Sequence, residues 1–231
     1  PVGELAITLN GTYDVFSYSA AVVSVPDVVY DRSIENTLLD RTVRNYENAE
    51  VSAVAGYGFF RFSSVQSVSV PSAVTIGPYA FYYCTSLSSV TIPSAEVIET
   101  YAFCSCPALT DISAPALLSV SDYAFQSCLS LAEIYMPSVE RVGSYAFAYD
   151  RSLTKAELPL LENLGSYAFA SCSALSLVSF PALSSIATYA FQSCISLQTV
   201  YLPEVLSIAA SAFYACNRLS DLTLPKVKYI Y

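Results

Sequence analysis

The chain has 231 residues, 54% of them hydrophobic, which is ample material for a core and excludes a disordered tail. Its formal charge of -9, from 10 Lys and Arg against 19 Asp and Glu with no basic cluster, argues against a nucleic-acid partner. No window reaches the roughly 18 consecutive apolar residues of a bilayer span, and the chain starts at Pro1 without Met, so a removed leader, anchor or further domain is expected.

Residues 1–30 lack any long period. PVGELAITLNGTYDVFSYSAAVVSVP alternates apolar and polar residues around Asn10-Gly11, a strong turn signal, and predicts two or three strands. Asn10-Gly11-Thr12 also fits a glycosylation sequon, but the turn is explanation enough. The phrase ITLNGTYDVFSY resembles a short module of Firmicute surface proteins and of tail or baseplate proteins of their phages.

Residues 31–54 read as the N-terminal cap of a repeating array. Val43, Tyr46, Val51 and Val54 fall in the apolar columns of that array, whereas Asn48 stands where an apolar residue belongs, and a more polar terminal unit is expected of a stacked structure.

From residue 55 to 231 one phrase recurs every 22 residues without an insertion. It is Tyr57-Gly58-Phe59, then Tyr-Ala-Phe beginning at Tyr79, Tyr101, Tyr123, Tyr145, Tyr167 and Tyr189, then Ser211-Ala212-Phe213. A proline column from Pro71 to Pro225 and a leucine column from Leu87 to Leu219 keep the same step. Each unit parses in two parts. Leu87, Val90 and Ile92 before Pro93 alternate as a short strand that ends where proline stops pairing. Ile76, Ala80, Phe81, Cys84 and Leu87 have the spacing of one helical face. The residue before the tyrosine, Thr100, Asp122, Ser144, Ser166 or Thr188 and in one unit Pro78, suits a helix start, so a short helix or 3₁₀ turn is predicted. Neither part buries its apolar side alone, so the units must stack into a solenoid with an α/β repeat. The chain ends at Tyr231 with Ile230 in register, so either the array continues or Tyr229 and Tyr231 shield its last layer.

The pattern Leu-x-x-Ile-x-Ile-Pro followed by Ile-Gly-x-Tyr-Ala-Phe-x-x-Cys resembles the BspA-like (Treponema pallidum type) leucine-rich repeat family over residues 43–231. The resemblance implies a right-handed solenoid with a strand-lined concave face, found on bacterial and protist surfaces and often in adhesins.

Cys84, Cys106, Cys128, Cys172, Cys194 and Cys216 share one column, with Asp150 in place of the cysteine in the remaining full unit. They read as small buried hydrophobes that stay reduced, since parallel inward side chains do not suit a disulfide dihedral. Cys104 sits in a column otherwise held by tyrosine, glutamine and alanine, and is expected to face outward and react. With no histidine and no second cysteine pair at ligand spacing, neither a metal centre nor a histidine-dependent nucleophile is expected, and no phosphate loop occurs among seven glycines. No cofactor is implied. Asp111, Glu133, Glu157 and Asp221 could be drawn as a glycosidase-like carboxylate set, but they read as solvated surface charges and the chain as a non-enzyme.

Function is therefore expected on the concave strand positions, most of which are small and polar. Tyr135, Leu177 and Tyr201 interrupt them with apolar area, and with Asp111, Glu133, Lys155 and Glu157 they form the candidate ligand site. The tyrosine column from Tyr57 to Tyr189 is expected to stack as an element of the scaffold. Two functions are compatible with these features: an extracellular or cell-surface module that binds a protein or glycan, or a structural or host-binding part of a phage tail docked through residues 1–30.

Overall fold

A computed structural model describes residues 3–9, 12–18 and 43–231. Gly3–Leu9 and Thr12–Tyr18 pair antiparallel with Leu9 opposite Thr12, the register a turn at Asn10-Gly11 requires. The turn residues themselves, the third strand expected before residue 30 and residues 31–42 of the cap lie outside the described residues.

Residues 43–231 coil as a solenoid whose every turn has three sides. On one side a three-residue strand of each turn pairs in parallel with the equivalent residues 22 positions on, as in Tyr46 with Val68 and Val68 with Val90. Two-residue strands build a second ladder on another side, from Ala53–Val54 to Tyr229–Ile230. The third side carries Tyr-Ala-Phe. There the backbone alternates: the N–H groups of Tyr79, Phe81 and Tyr83 bond the carbonyls of Thr100, Ala102 and Cys104 in the next turn, while those of Ala80, Tyr82 and Cys84 bond carbonyls three residues back in their own turn.

No helix occurs among the described residues, which corrects the helix or 3₁₀ segment predicted for this side. The physical reason is the tyrosine. From Tyr57 to Tyr189 every tyrosine of the column has φ between 56° and 64°, and the residue four positions later is also left-handed, at 58° to 67°. A helix cannot pass through two such residues. The apolar spacing that suggested a helical face arises from overlapping tight turns. Gly77 to Ala80 shows the chemistry, with Pro78 second and a positive φ third, the positions a type II turn assigns. Thr100, Asp122 and their equivalents thus precede a turn corner and cap no helix.

The core runs the length of the array. Central strand residues such as Val90 and Val178, leucines such as Leu87 and Leu153, and the whole alanine and phenylalanine columns from Ala80 and Phe81 to Ala190 and Phe191 have no exposed surface. Phenylalanine rings from Phe59 to Phe213 stack at 4.8–5.7 Å. The alanine between Tyr and Phe is invariably small because its Cβ is sealed inside the turn. Gly77 marks an equally close approach: a Cβ there would stand 2.6 Å from the Gly56 nitrogen of the previous layer.

Both ladders are interrupted once. The three-residue ladder divides between Asp111–Ser113 and Glu133–Tyr135, the two-residue ladder between Asn163–Leu164 and Ser185–Ile186. At the first break pairing would set Asp111 opposite Glu133, two like charges in one row, which disfavours closure. Nothing in the structure explains the second. The turn side has no such gap: each tyrosine N–H from Tyr57 to Tyr189 reaches the next layer at 2.9–3.2 Å.

Candidate functional site

Outward positions are the first and third residues of each three-residue strand, because a strand sends alternate side chains to opposite faces. Glu133–Tyr135 illustrates it, with Ile134 buried between two exposed neighbours. The register then lays out two rows. Glu133, Lys155, Leu177 and Thr199 succeed one another along the first, and Tyr135, Glu157, Ser179 and Tyr201 along the second. Six of the seven candidate residues thus share one five-stranded sheet, and Asp111 stands on the far side of the ladder gap.

Tyr135 is 68% and Tyr201 56% exposed, so neither ring packs into the sheet. Leu177 is half-buried. Lys155 bonds Glu157 on its own strand, Nζ to Oε2 at 2.9 Å, and that bond together with the charges of Glu157 and Glu133 holds its ammonium above the ordinary value. Glu157 is thereby committed to an ion pair, an arrangement that suits a surface charge better than a catalytic acid. Among the described residues Asp111 and Glu133 make no ion pair.

The thiol column is explained by the backbone. Each thiol donates to the carbonyl of the phenylalanine 25 residues earlier, from Cys84 to Phe59 at 2.9 Å through Cys216 to Phe191 at 3.0 Å. A small apolar group with one donor fits this place. All seven cysteines are free thiols. Burial pushes Cys84 up to about 12 and Cys106, Cys128 and Cys172 well above the usual thiol range. Half-buried Cys216 is the exception, its pKa lowered chiefly by the neighbouring Cys194 thiol.

Cys104 overturns its expected exposure and reactivity. It is 4% exposed, flanked by Tyr82 and Gln126 in the adjacent layers, with its sulfur 3.6 Å from Gln126 Oε1, and burial raises its pKa. Long neighbours cover a short side chain in a column whose outward members are large. Among the described residues no three His, Cys, Asp or Glu side chains group as metal ligands.

Two features escaped the sequence reading. Asp150, in the cysteine column, is completely buried: Oδ1 accepts from the Cys128 N–H at 2.7 Å, whereas Oδ2 has no partner, and desolvation holds the carboxyl well above the carboxylate range. The substitution was visible in the column, but its burial was not. An open groove also runs beside the two-residue ladder, lined by Ser121, Asp122, Arg141, Gly143, Asn163 and Gly165. Its polar groups are partly spent locally, Asp122 Oδ1 on the Ser144 N–H at 2.6 Å and Arg141 on Glu140 at 3.4 Å. The neighbouring glycines Gly143 and Gly165, one period apart, were its available signal.

A profile described as the BspA type leucine rich repeat region, in 6 copies, matches residues 53–175 and 140–231. Among solved structures, a leucine-rich repeat protein from Bacteroides ovatus is similar at 21% identity, over 99% of this chain and 76% of that one, with a TM-score of 0.63. The T. pallidum leucine-rich repeat protein is similar at 23% identity over 89% of this chain and 82% of its own, with a TM-score of 0.55. These likenesses are of fold, a right-handed solenoid of short parallel strands. No curated protein matches the chain.

Proposed function

Because the chain belongs to the BspA-type leucine-rich repeat family, we propose that it is a protein-binding recognition module and that its three-residue strand face is the binding surface. The observation that carries this is the exposure of Tyr135 and Tyr201 on one row of a rigid sheet. Exposed rings among small polar neighbours are what a partner anchors on, and they cost the free protein little because the sheet already holds them. Asp111, Glu133, Lys155, Glu157 and Leu177 complete the site. The outward residues at these positions vary from layer to layer, from Glu133 and Lys155 to Leu177 and Tyr201, whereas the tyrosine and phenylalanine columns of the turn side repeat one residue type that stacks.

The setting that suits such a module is a bacterial surface, with the module acting in adhesion. A non-enzymatic role fits this face, because its close carboxylate and lysine pair, Lys155 with Glu157, is an exposed ion pair with side chains 40% and 38% accessible.

The test is binding of the labelled chain to intact bacterial cells, mammalian cells and purified matrix proteins, beside Tyr135→Ala with Tyr201→Ala. Saturable binding to a protein target that weakens at least tenfold in the double variant is expected. Equal binding by the double variant would remove the strand face from the account.

A further inference from the structure

We infer that the strand face recognises an extended cationic polypeptide segment, in which basic side chains recur about every fourth residue. The inference rests on the reading of that face as the binding surface and narrows its partner to one chemistry.

Three observations point the same way. The exposed carboxylates Asp111 and Glu133 stand on either side of the gap in the ladder and, among the described residues, neither makes an ion pair: Lys155, in register beside Glu133 and sensing its charge, is bound to Glu157. A guanidinium or ammonium from outside would settle between these two carboxylates and relieve the repulsion that a closed ladder would have to bear. Next to Glu133 on the same strand, and beside Glu157 in register, stands the exposed ring of Tyr135, a surface on which a cation also gains from the π face.

The second ring sets the spacing. Tyr135 and Tyr201 lie three layers apart on one row, which at about 4.8 Å per layer is roughly 14 Å. An extended chain advances about 3.4 Å per residue, so side chains four residues apart span the same distance. A segment lying along the solenoid axis would place one basic side chain at Tyr135 and Glu133 and the next at Tyr201. The chain's formal charge of -9 favours such a partner and repels polyanions, including acidic glycans.

The test uses a fluorescein-labelled Gly/Ser peptide with three arginines spaced four residues apart, its counterpart with glutamates, and one with the arginines adjacent. Anisotropy is read with the chain, with Asp111→Asn plus Glu133→Gln, and with Tyr135→Ala plus Tyr201→Ala, at about 0.05 M and 0.15 M salt. The spaced arginine peptide should bind saturably, at least tenfold more weakly to either double variant and more weakly at the higher salt, and the glutamate peptide should not bind. No saturable binding of the spaced arginine peptide, or equal binding by the carboxylate variant, overturns the inference. A protein target from the cell and matrix panel that is lost with the tyrosines but indifferent to the carboxylate variant and to salt overturns it while sparing the strand face; one indifferent to both variants overturns the strand face as well. Thermal unfolding of each variant confirms that it is folded.

Discussion

The turn side and the strand side of this solenoid follow different rules. On the turn side seven tyrosines stack at 4.6–5.0 Å with ring planes within 15° of parallel, each held at a positive φ that costs an ordinary residue roughly 1–3 kcal/mol. Such a backbone persists only because the surroundings overdetermine it: interlayer hydrogen bonds, the sealed alanine and the stacked phenylalanines all repeat at every layer. On the strand side only the central, buried residue is constrained. Its outward neighbours range from Ser69 to Glu133, Lys155, Leu177 and Tyr201, and the ladder tolerates a gap. Uniform residues thus mark the side that holds the layers together, and varied residues mark the side left free to meet a partner.

The largest blow to the turn side should come from Phe147→Ala, which empties a fully buried position between two stacked rings. A loss of roughly 3–5 kcal/mol in urea denaturation is expected, and a loss below about 1 kcal/mol would mean that the column does not carry the core.

The tyrosines sharpen the comparison further. Tyr145 stacks on Tyr123 and Tyr167, so Tyr145→Ala should cost roughly 1–3 kcal/mol from two lost ring pairs. Tyr145→Gly loses the same rings but adopts the positive φ freely, and should be the more stable of the two variants by about 1 kcal/mol. The reverse order, as a helix would give, would contradict the turn geometry.

Asp150 is where a charged residue enters the buried cysteine column of the turn side. Its folded pKa is raised by burial above the ordinary 3.8, so the folded chain keeps a proton that the unfolded chain releases. That contribution is complete below about pH 4 and is lost as pH rises through the folded value. Asp150→Cys restores the thiol that suits the column. It should therefore gain little at about pH 4 and roughly 1–3 kcal/mol near pH 7, read as the difference between the two denaturation midpoints across the range. A difference that does not grow with pH would show that the buried carboxyl is not protonated by folding.

Much of this was legible in the sequence. The 22-residue period, the Leu, Phe and Cys core columns and the outward strand positions follow from spacing alone, because every layer must present the same residue to the same neighbour. The left-handed tyrosines were not legible, since an apolar spacing of four, one, three and three fits a helix as well as it fits overlapping turns, and tyrosine carries no signature of a positive φ. Cys104 was misplaced for a related reason: whether a short side chain is covered depends on Tyr82 and Gln126 in adjacent layers, which its own column does not reveal. The ladder gap beside Asp111 and Glu133 depends on how two charges meet across layers, again a matter of contact and not of period.

The smallest expected effect on stability belongs to the strand side and bears most directly on the division between the two. Tyr135→Ala with Tyr201→Ala should unfold within about 0.5 kcal/mol of the parent chain, while the same preparation loses at least tenfold in binding to its protein target. A double variant that keeps full affinity, or one that loses binding only in step with its stability, would contradict the claim that the strand face is free of structural duty and devoted to recognition.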